Sequence, residues 1–167
     1  MQLLAQKVKA AFDNHPNPNG RHLQVWFEPG KFLVSGAGYL ITEVNVIKET
    51  AATTFVSVNS GFNHLIRPMF YEAYHKIENI SNPTGAEKKY SVVGNICETD
   101  TFAWDRKMNE VREADYLVFN NAGAYGFEMS SNFNSRLKPA EVLVKDGEAK
   151  LIRRRDEFED LLRNQVF

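Results

Sequence analysis

The dipeptide Asp146-Gly147 sits between two apolar runs, Ala140 to Val144 and Ala149 to Arg153. A two-residue hairpin turn of the primed type needs left-handed backbone at both positions. Aspartate tolerates that conformation and glycine adopts it freely. A chain that turns back on itself this way is committed to antiparallel strands. The same character extends towards the N-terminus. Tyr39 to Lys48 and Thr53 to Val58 are rich in β-branched residues, and further strands are expected at 89–94 and 115–120. Residues 39–155 therefore read as an antiparallel β domain, a barrel or a sandwich, and the chain as a whole as mainly β. Residues 79–88, with Pro83 and Gly85, read as an exposed loop.

The first residues have a different period. Leu4, Val8, Ala11 and Phe12 recur at helical spacing, which predicts an amphipathic helix over 2–13. The loop His15-Pro16-Asn17-Pro18-Asn19-Gly20 ends it. Leu23 to Phe27 reads as a short buried strand running into Glu28-Pro29-Gly30-Lys31, with a helix from Phe32 to Ala37. Helix, loop, strand and glycine turn make one αβ unit of the parallel-sheet kind, which cannot fold alone. Residues 1–38 are thus expected to be the last unit of a larger α/β domain, and 39–167 the β domain. At the far end, Asp156 with Glu159 three residues on suggests a helix cap, and Phe158, Leu161 and Leu162 the apolar face of a short terminal helix.

Composition narrows the function classes. A net charge of −1, with no basic arm or stripe, gives no general attraction for nucleic acid. Arg153-Arg154-Arg155 reads as a solvated strand end. A single cysteine excludes an internal disulfide and fits a reducing compartment. Gln6, Lys7 and Lys9 interrupt any signal-peptide core, and no stretch approaches membrane-spanning length, so a cytoplasmic chain is expected. His15, His22, His64 and His75 lack ligand spacing, so no metal site is expected.

Four short motifs carry candidate chemistry. Cys97 and Glu98, at the end of an apolar run, place a thiol and an acid at one spot. Glu28-Pro29-Gly30-Lys31 opens a helix with a close-approach glycine and a cation, which suits a phosphate. Arg67 and Tyr71 lie four apart, on one face if the segment is helical, and could grip a carboxylate. Tyr125 stands among small residues in Asn121-Ala122-Gly123-Ala124-Tyr125-Gly126, which leaves its hydroxyl open to a ligand. Read singly, each has a plain structural explanation: a core cysteine, an ordinary turn, a surface arginine beside a packed tyrosine, a structural loop.

Their order is more telling. Glu-Pro-Gly-basic, Arg-Pro-x-x-Tyr, Cys-Glu-Thr, Gly-Ala-Tyr-Gly, then Asn-Ser-Arg before a final hairpin resembles the C-terminal part of the diaminopimelate decarboxylases, from about residue 1 to 164. That family uses pyridoxal phosphate and has an alanine-racemase-like fold, a (β/α)8 barrel followed by a β domain, in a homodimer whose site is shared between subunits. It converts meso-diaminopimelate to L-lysine and carbon dioxide, the last step of lysine biosynthesis.

The resemblance implies a role for each matched residue. Glu28 would pair with the cofactor's pyridine nitrogen, and Gly30 would form the phosphate turn. Lys31, where the family usually has arginine, would meet phosphate and substrate carboxylate without the bidentate fork. Arg67 and Tyr71 would clamp the carboxylate that is kept, and Glu98 the distal ammonium. Tyr125 would touch cofactor and substrate. Cys97 would be the proton donor, supplied across the dimer interface. Asn59 and Gly36 stand where acids are commoner. The family's Schiff-base lysine, its ring-stacking histidine and its glycine-rich phosphate loop lie in the barrel, so the chain alone is expected to be inactive. Two rivals remain: a sister decarboxylase for carboxynorspermidine, ornithine or arginine, and a non-catalytic dimerisation or binding module.

Overall fold

The computed structural model describes residues 2–17, 19–20 and 24–166. Helix α1 (Gln2–Asp13) forms where the periodicity places it. Val8, Ala11 and Phe12 on its apolar face meet Val25 across a shallow groove. The strand expected at 23–27 is a correction. Leu23 lies outside the described residues, and Gln24 to Phe27 join no ladder. No described neighbour offers that segment a strand edge, and Trp26 is 84% exposed. Helix α2 (Gly30–Val34) and a 3-10 turn (Ser35–Ala37) follow, close to the expected helix.

Six strands make one sheet that nearly closes on itself. They are β1 (Leu40–Glu49), β2 (Thr54–Val58), β3 (Ile77–Asn79), β4 (Glu87–Val93), β5 (Thr101–Asn109) and β6 (Tyr116–Phe119). The order across the sheet is β3-β6-β1-β2-β4-β5. Every pair is antiparallel except β2 with β4, where Phe55, Val56 and Ser57 lie parallel to Ser91, Val92 and Val93. A parallel pair needs a long crossover. Residues 59–86 supply it, carrying helix α3 (Arg67–Tyr71) and β3 on the way. The two edge strands, β3 and β5, approach each other at the remaining seam. Side-chain amides close it: Asn79 donates to the Glu110 carbonyl (2.8 Å), Asn82 to the same oxygen (3.0 Å), and Asn109 to the Pro83 carbonyl.

The barrel interior holds Val44, Val56, Val58, Leu65, Ile77, Tyr90, Val92, Phe102, Met108, Leu117 and Phe119. The Phe102 and Phe119 rings meet at 4.8 Å. A bulge between Val44 and Val46 in β1 resets its alternation, so Val44 is buried while Val46 is half exposed. Burying these side chains, at about 1.5–3 kcal/mol for each large apolar group, drives closure of the sheet.

Beyond the barrel, β7 (Glu141–Lys145) and β8 (Glu148–Arg153) form a separate hairpin. Asp146 and Gly147 have φ of 52° and 82°, the left-handed pair the dipeptide requires. Helix α4 (Phe158–Leu162) starts one residue later than the sequence suggests, with a capping box of Glu157 and Asp160. Asp156 instead accepts hydrogen bonds from the Asn132 amide and the Lys138 N–H. No helix among the described residues is long and apolar enough to cross a membrane.

Candidate functional site

Two glycines assemble the first cluster. A Cβ on Gly38 would lie 2.4 Å from the Gly123 Cα, so only glycine lets these backbones meet. The contact is locked by Ala122 N–H to the Gly38 carbonyl (2.8 Å) and Gly123 N–H to the Ser35 carbonyl (3.1 Å). It brings the loop after β6 against α2. Tyr125, in left-handed backbone (φ 61°), then places its hydroxyl beside Gly30, where a Cβ would come within 3.3 Å of it. A side chain at Gly30 would crowd that hydroxyl.

Arg67 begins α3, with Pro68 fixing the first turn. Its guanidinium lies 5.2 Å from the Tyr71 ring centroid and 5.6 Å from that of Tyr125. Arg67 thus sits between two aromatic faces, and the expected i, i+4 pairing with Tyr71 is formed. Its Nε is buried with no hydrogen-bond partner. A buried guanidinium nitrogen without an acceptor costs free energy, and an anionic ligand would relieve it. His75 is buried nearby, its Nδ1–H donating to the Asn120 carbonyl (2.8 Å). Burial lowers the His75 pKa, the Asn120 hydrogen bond raises it, and the cations Arg67 and Lys31 lower it further, so both lie within electrostatic reach. Gly30, Lys31, Arg67, Tyr71 and Tyr125 therefore share one region. The Glu28 carbonyl accepts the Gly30 N–H (2.9 Å), but no contact joins the Glu28 carboxylate to this group among the described residues.

The second cluster lies on the loop after β4. Asp100 is buried and pins the loop, accepting Phe62 N–H (2.7 Å) on one oxygen and Ile96 N–H (3.1 Å) on the other. Its pKa is raised, mainly by burial, with the two N–H groups opposing and Glu98 adding to the rise. A Cβ on Gly94 would lie 1.9 Å from the Asp100 Oδ2, so the carboxylate fills the space that glycine leaves. Cys97 and Glu98 project from this loop. The thiol donates to Glu98 Oε2 at 3.5 Å, and the Asn134 amide reaches the same oxygen at 3.0 Å and the Cys97 Sγ at 3.8 Å. Arg136 donates to the Asn95 carbonyl (3.2 Å). Among the described residues, no hydrogen bond, ion pair or ring contact links Cys97 and Glu98 to the Arg67 cluster. Asp100 and Asn134 are not singled out by the sequence reading. The only signals were the Asn-Ser-Arg triplet and the short spacing from Gly94 to Asp100.

Residues 31–123 match the family model of the pyridoxal-dependent decarboxylases, C-terminal sheet domain. The diaminopimelate decarboxylase of Methanothermobacter thermautotrophicus is 49% identical over 140 residues, 83% of this chain and 32% of that protein. That of Aquifex aeolicus is 43% identical over 137 residues, 81% of this chain and 33% of that protein. The crystal structure of M. jannaschii diaminopimelate decarboxylase in co-complex with L-lysine superposes with a TM-score of 0.79 at 35% identity, over 98% of this chain and 37% of that one. The chain spans about a third of the length of the curated relatives it matches. A lysine/ornithine decarboxylase from Vibrio vulnificus, with a TM-score of 0.61 at 19% identity, shares the fold. The matched family model and these relatives agree, and the chain belongs to the pyridoxal-dependent decarboxylases, whose C-terminal sheet domain it carries.

Proposed function

We propose that this chain is the C-terminal part of a diaminopimelate decarboxylase, converting meso-diaminopimelate to L-lysine and carbon dioxide in the cytoplasm as a homodimer. Residues 1–38 belong to the end of its barrel domain and 39–167 to its β domain. The observation that carries this reading is the Arg67 guanidinium, held between Tyr71 and Tyr125 with a buried Nε lacking an acceptor. Gly30, with no side chain to crowd the Tyr125 hydroxyl, and the charge of Lys31 next to it suit a phosphate, so these residues fit pyridoxal phosphate together with a carboxylate-bearing substrate.

Pyridoxal phosphate, when bound, supplies an electron sink for the carbon that loses carbon dioxide. The chain's own residues bind, orient and protonate. Gly30 and Lys31 would receive the phosphate, with the Tyr125 hydroxyl beside Gly30 placed to bond to it. Glu28, at the turn before Gly30, would pair with the pyridine nitrogen and favour its protonated form. Arg67 and Tyr71 hold the substrate carboxylate that stays, and Glu98 holds the distal ammonium. The Cys97 thiol, from the other subunit, delivers a proton to the substrate carbon, a general-acid contribution of roughly 10²–10⁴-fold. Arg67 favours a substrate with a second carboxylate over ornithine or arginine, which have none to offer it.

The test is lysine production by the longer protein containing this chain. Turnover of meso-diaminopimelate in preference to ornithine and arginine is expected. Arg67→Met should raise KM about tenfold or more, since a charge-assisted contact contributes about 1.5–3 kcal/mol. Preference for ornithine or arginine, or an unchanged KM in the variant, overturns the reading.

A further inference from the structure

We infer that Asn134 is a positioning residue for the decarboxylation, holding the Glu98 carboxylate and the Cys97 thiol in the geometry they use; this rests on the reading just given. The loop around it is tied down on several sides. Asn132 donates to the Arg136 carbonyl and to Asp156 (2.9 Å each), and Ser131 N–H donates to the Asn63 carbonyl (2.8 Å). The Phe133 ring packs on Phe62 at 5.3 Å, and Arg136 reaches the Asn95 carbonyl. These contacts bind the loop to the same segments that Asp100 organises. The Asn134 side chain is left to point at the functional pair.

Asn134 takes left-handed backbone (φ 55°, ψ 30°), which asparagine accepts more readily than most residues. That conformation delivers its amide to Glu98 Oε2 and Cys97 Sγ. The thiol donates to the same Oε2. Two donors therefore anchor one carboxylate oxygen, and among the described residues Oε1 is the oxygen left for a cation. A carboxylate that is already oriented loses less side-chain freedom when an ammonium arrives. The same amide lies against the sulfur and restricts the thiol's rotamers, so the donor is held in place before substrate arrives. Both effects act through Glu98 and Cys97, and Asn134 itself need not touch substrate.

Asn134→Gly keeps the left-handed backbone and removes only the amide, so it separates positioning from folding. Asn134→Asp also tolerates the backbone but sets a second carboxylate beside the pair. In the chain itself, the pH profile of Cys97 alkylation by iodoacetamide reads the thiol's surroundings. The charged groups around it are Glu98, which accepts from the thiol, Asp100 on the same loop within electrostatic reach of Glu98, and Arg136 on the adjoining loop, bound to the Asn95 carbonyl. Loss of an N–H donor to sulfur should move the midpoint up in Asn134→Gly, and the added negative charge should move it further in Asn134→Asp, with the melting temperature of Asn134→Gly held. In the longer protein, kcat/KM for diaminopimelate should fall about tenfold in Asn134→Gly while affinity for pyridoxal phosphate stays the same. An alkylation profile superimposable on the parent's, or an unchanged kcat/KM, overturns the inference. If the parent enzyme does not act on diaminopimelate, the proposed function fails, and the alkylation profiles still decide whether Asn134 governs the pair.

Discussion

Asp100→Asn is the sharpest test of how the Cys97 loop is built. Asp100 uses both carboxylate oxygens as acceptors, one for Phe62 N–H at 2.7 Å and one for Ile96 N–H at 3.1 Å. Asparagine is nearly the same size but has one acceptor oxygen and one NH2 group. Whichever way the amide turns, its NH2 faces an N–H donor, so one hydrogen bond becomes a repulsive contact at a buried site. Leaving a buried donor unsatisfied costs about 1–3 kcal/mol. The surviving bond also loses its charge-assisted part. Against this, asparagine escapes the burial cost that pushes the Asp100 pKa up. The geometric loss should win, because both N–H groups are fixed by backbone and cannot reorient. For a domain of this size about 2–4 °C of melting temperature goes with each kcal/mol. Thermal unfolding at neutral pH should therefore show a fall of roughly 3–9 °C. Cys97 should be alkylated faster at the same pH, as the loop is released. A variant with unchanged melting temperature and unchanged Cys97 reactivity would refute the claim that Asp100 organises this loop.

Three further outcomes follow from other sites. Gly94→Ala should destabilise more than Gly147→Ala, because its new methyl meets the Asp100 carboxylate and the Ser60 carbonyl whereas that at Gly147 enters open space and costs only the left-handed strain, about 1–2 kcal/mol; urea unfolding of the two variants compares them. His64 donates from Nε2 to the Leu137 carbonyl and accepts from Ser60 at Nδ1, so it is held neutral, and burial is the first cause of its lowered pKa. Since the folded pKa lies below the ordinary 6.5, its stabilising contribution is complete above that value and is lost as pH falls from about 6.5 through the folded pKa; a His64→Gln variant should show a flatter stability profile over that window. The isolated chain should release no carbon dioxide from meso-diaminopimelate above a protein-free control, because the covalent step needs a positioned lysine that no lysine here matches.

What could be read from the sequence was what local chemistry decides. Asp146-Gly147 fixes its hairpin, and the spacing from Leu4 to Phe12 fixes α1. Arg67 and Tyr71 meet because four residues make about one helical turn. Strand β5 has no signature of its own, since Asp105, Arg106 and Lys107 break its apolar alternation and Asp105 takes φ of 49°; pairing with β4 makes it a strand. The parallel β2–β4 pair, which departs from the expected antiparallel sheet, depends on a crossover whose return path no local pattern encodes. The strand expected at 23–27 does not form over Gln24 to Phe27, because its apolar content implies a sheet neighbour and none is found among the described residues. Tyr125 reaches Gly30 and Arg67 only through the close approach of Gly38 and Gly123, two small residues far apart in the chain. The residue types at the site were legible, but the backbone contact that joins them was not.

The seam of the barrel bears on how this chain meets other copies in concentrated solution. A free strand edge is a template for a foreign strand, and long apolar edges seed aggregation. Here the edges turn towards each other. Strand β3 is three residues long and β5 carries Arg106 and Lys107, so the barrel offers little to an incoming strand. The separate hairpin has no such protection among the described residues. Val142, Leu143, Val144, Leu151 and Ile152 are all exposed, and its two strands pair only with each other. Loss of solubility in this chain should therefore begin at β7 and β8, while the barrel stays folded beside them.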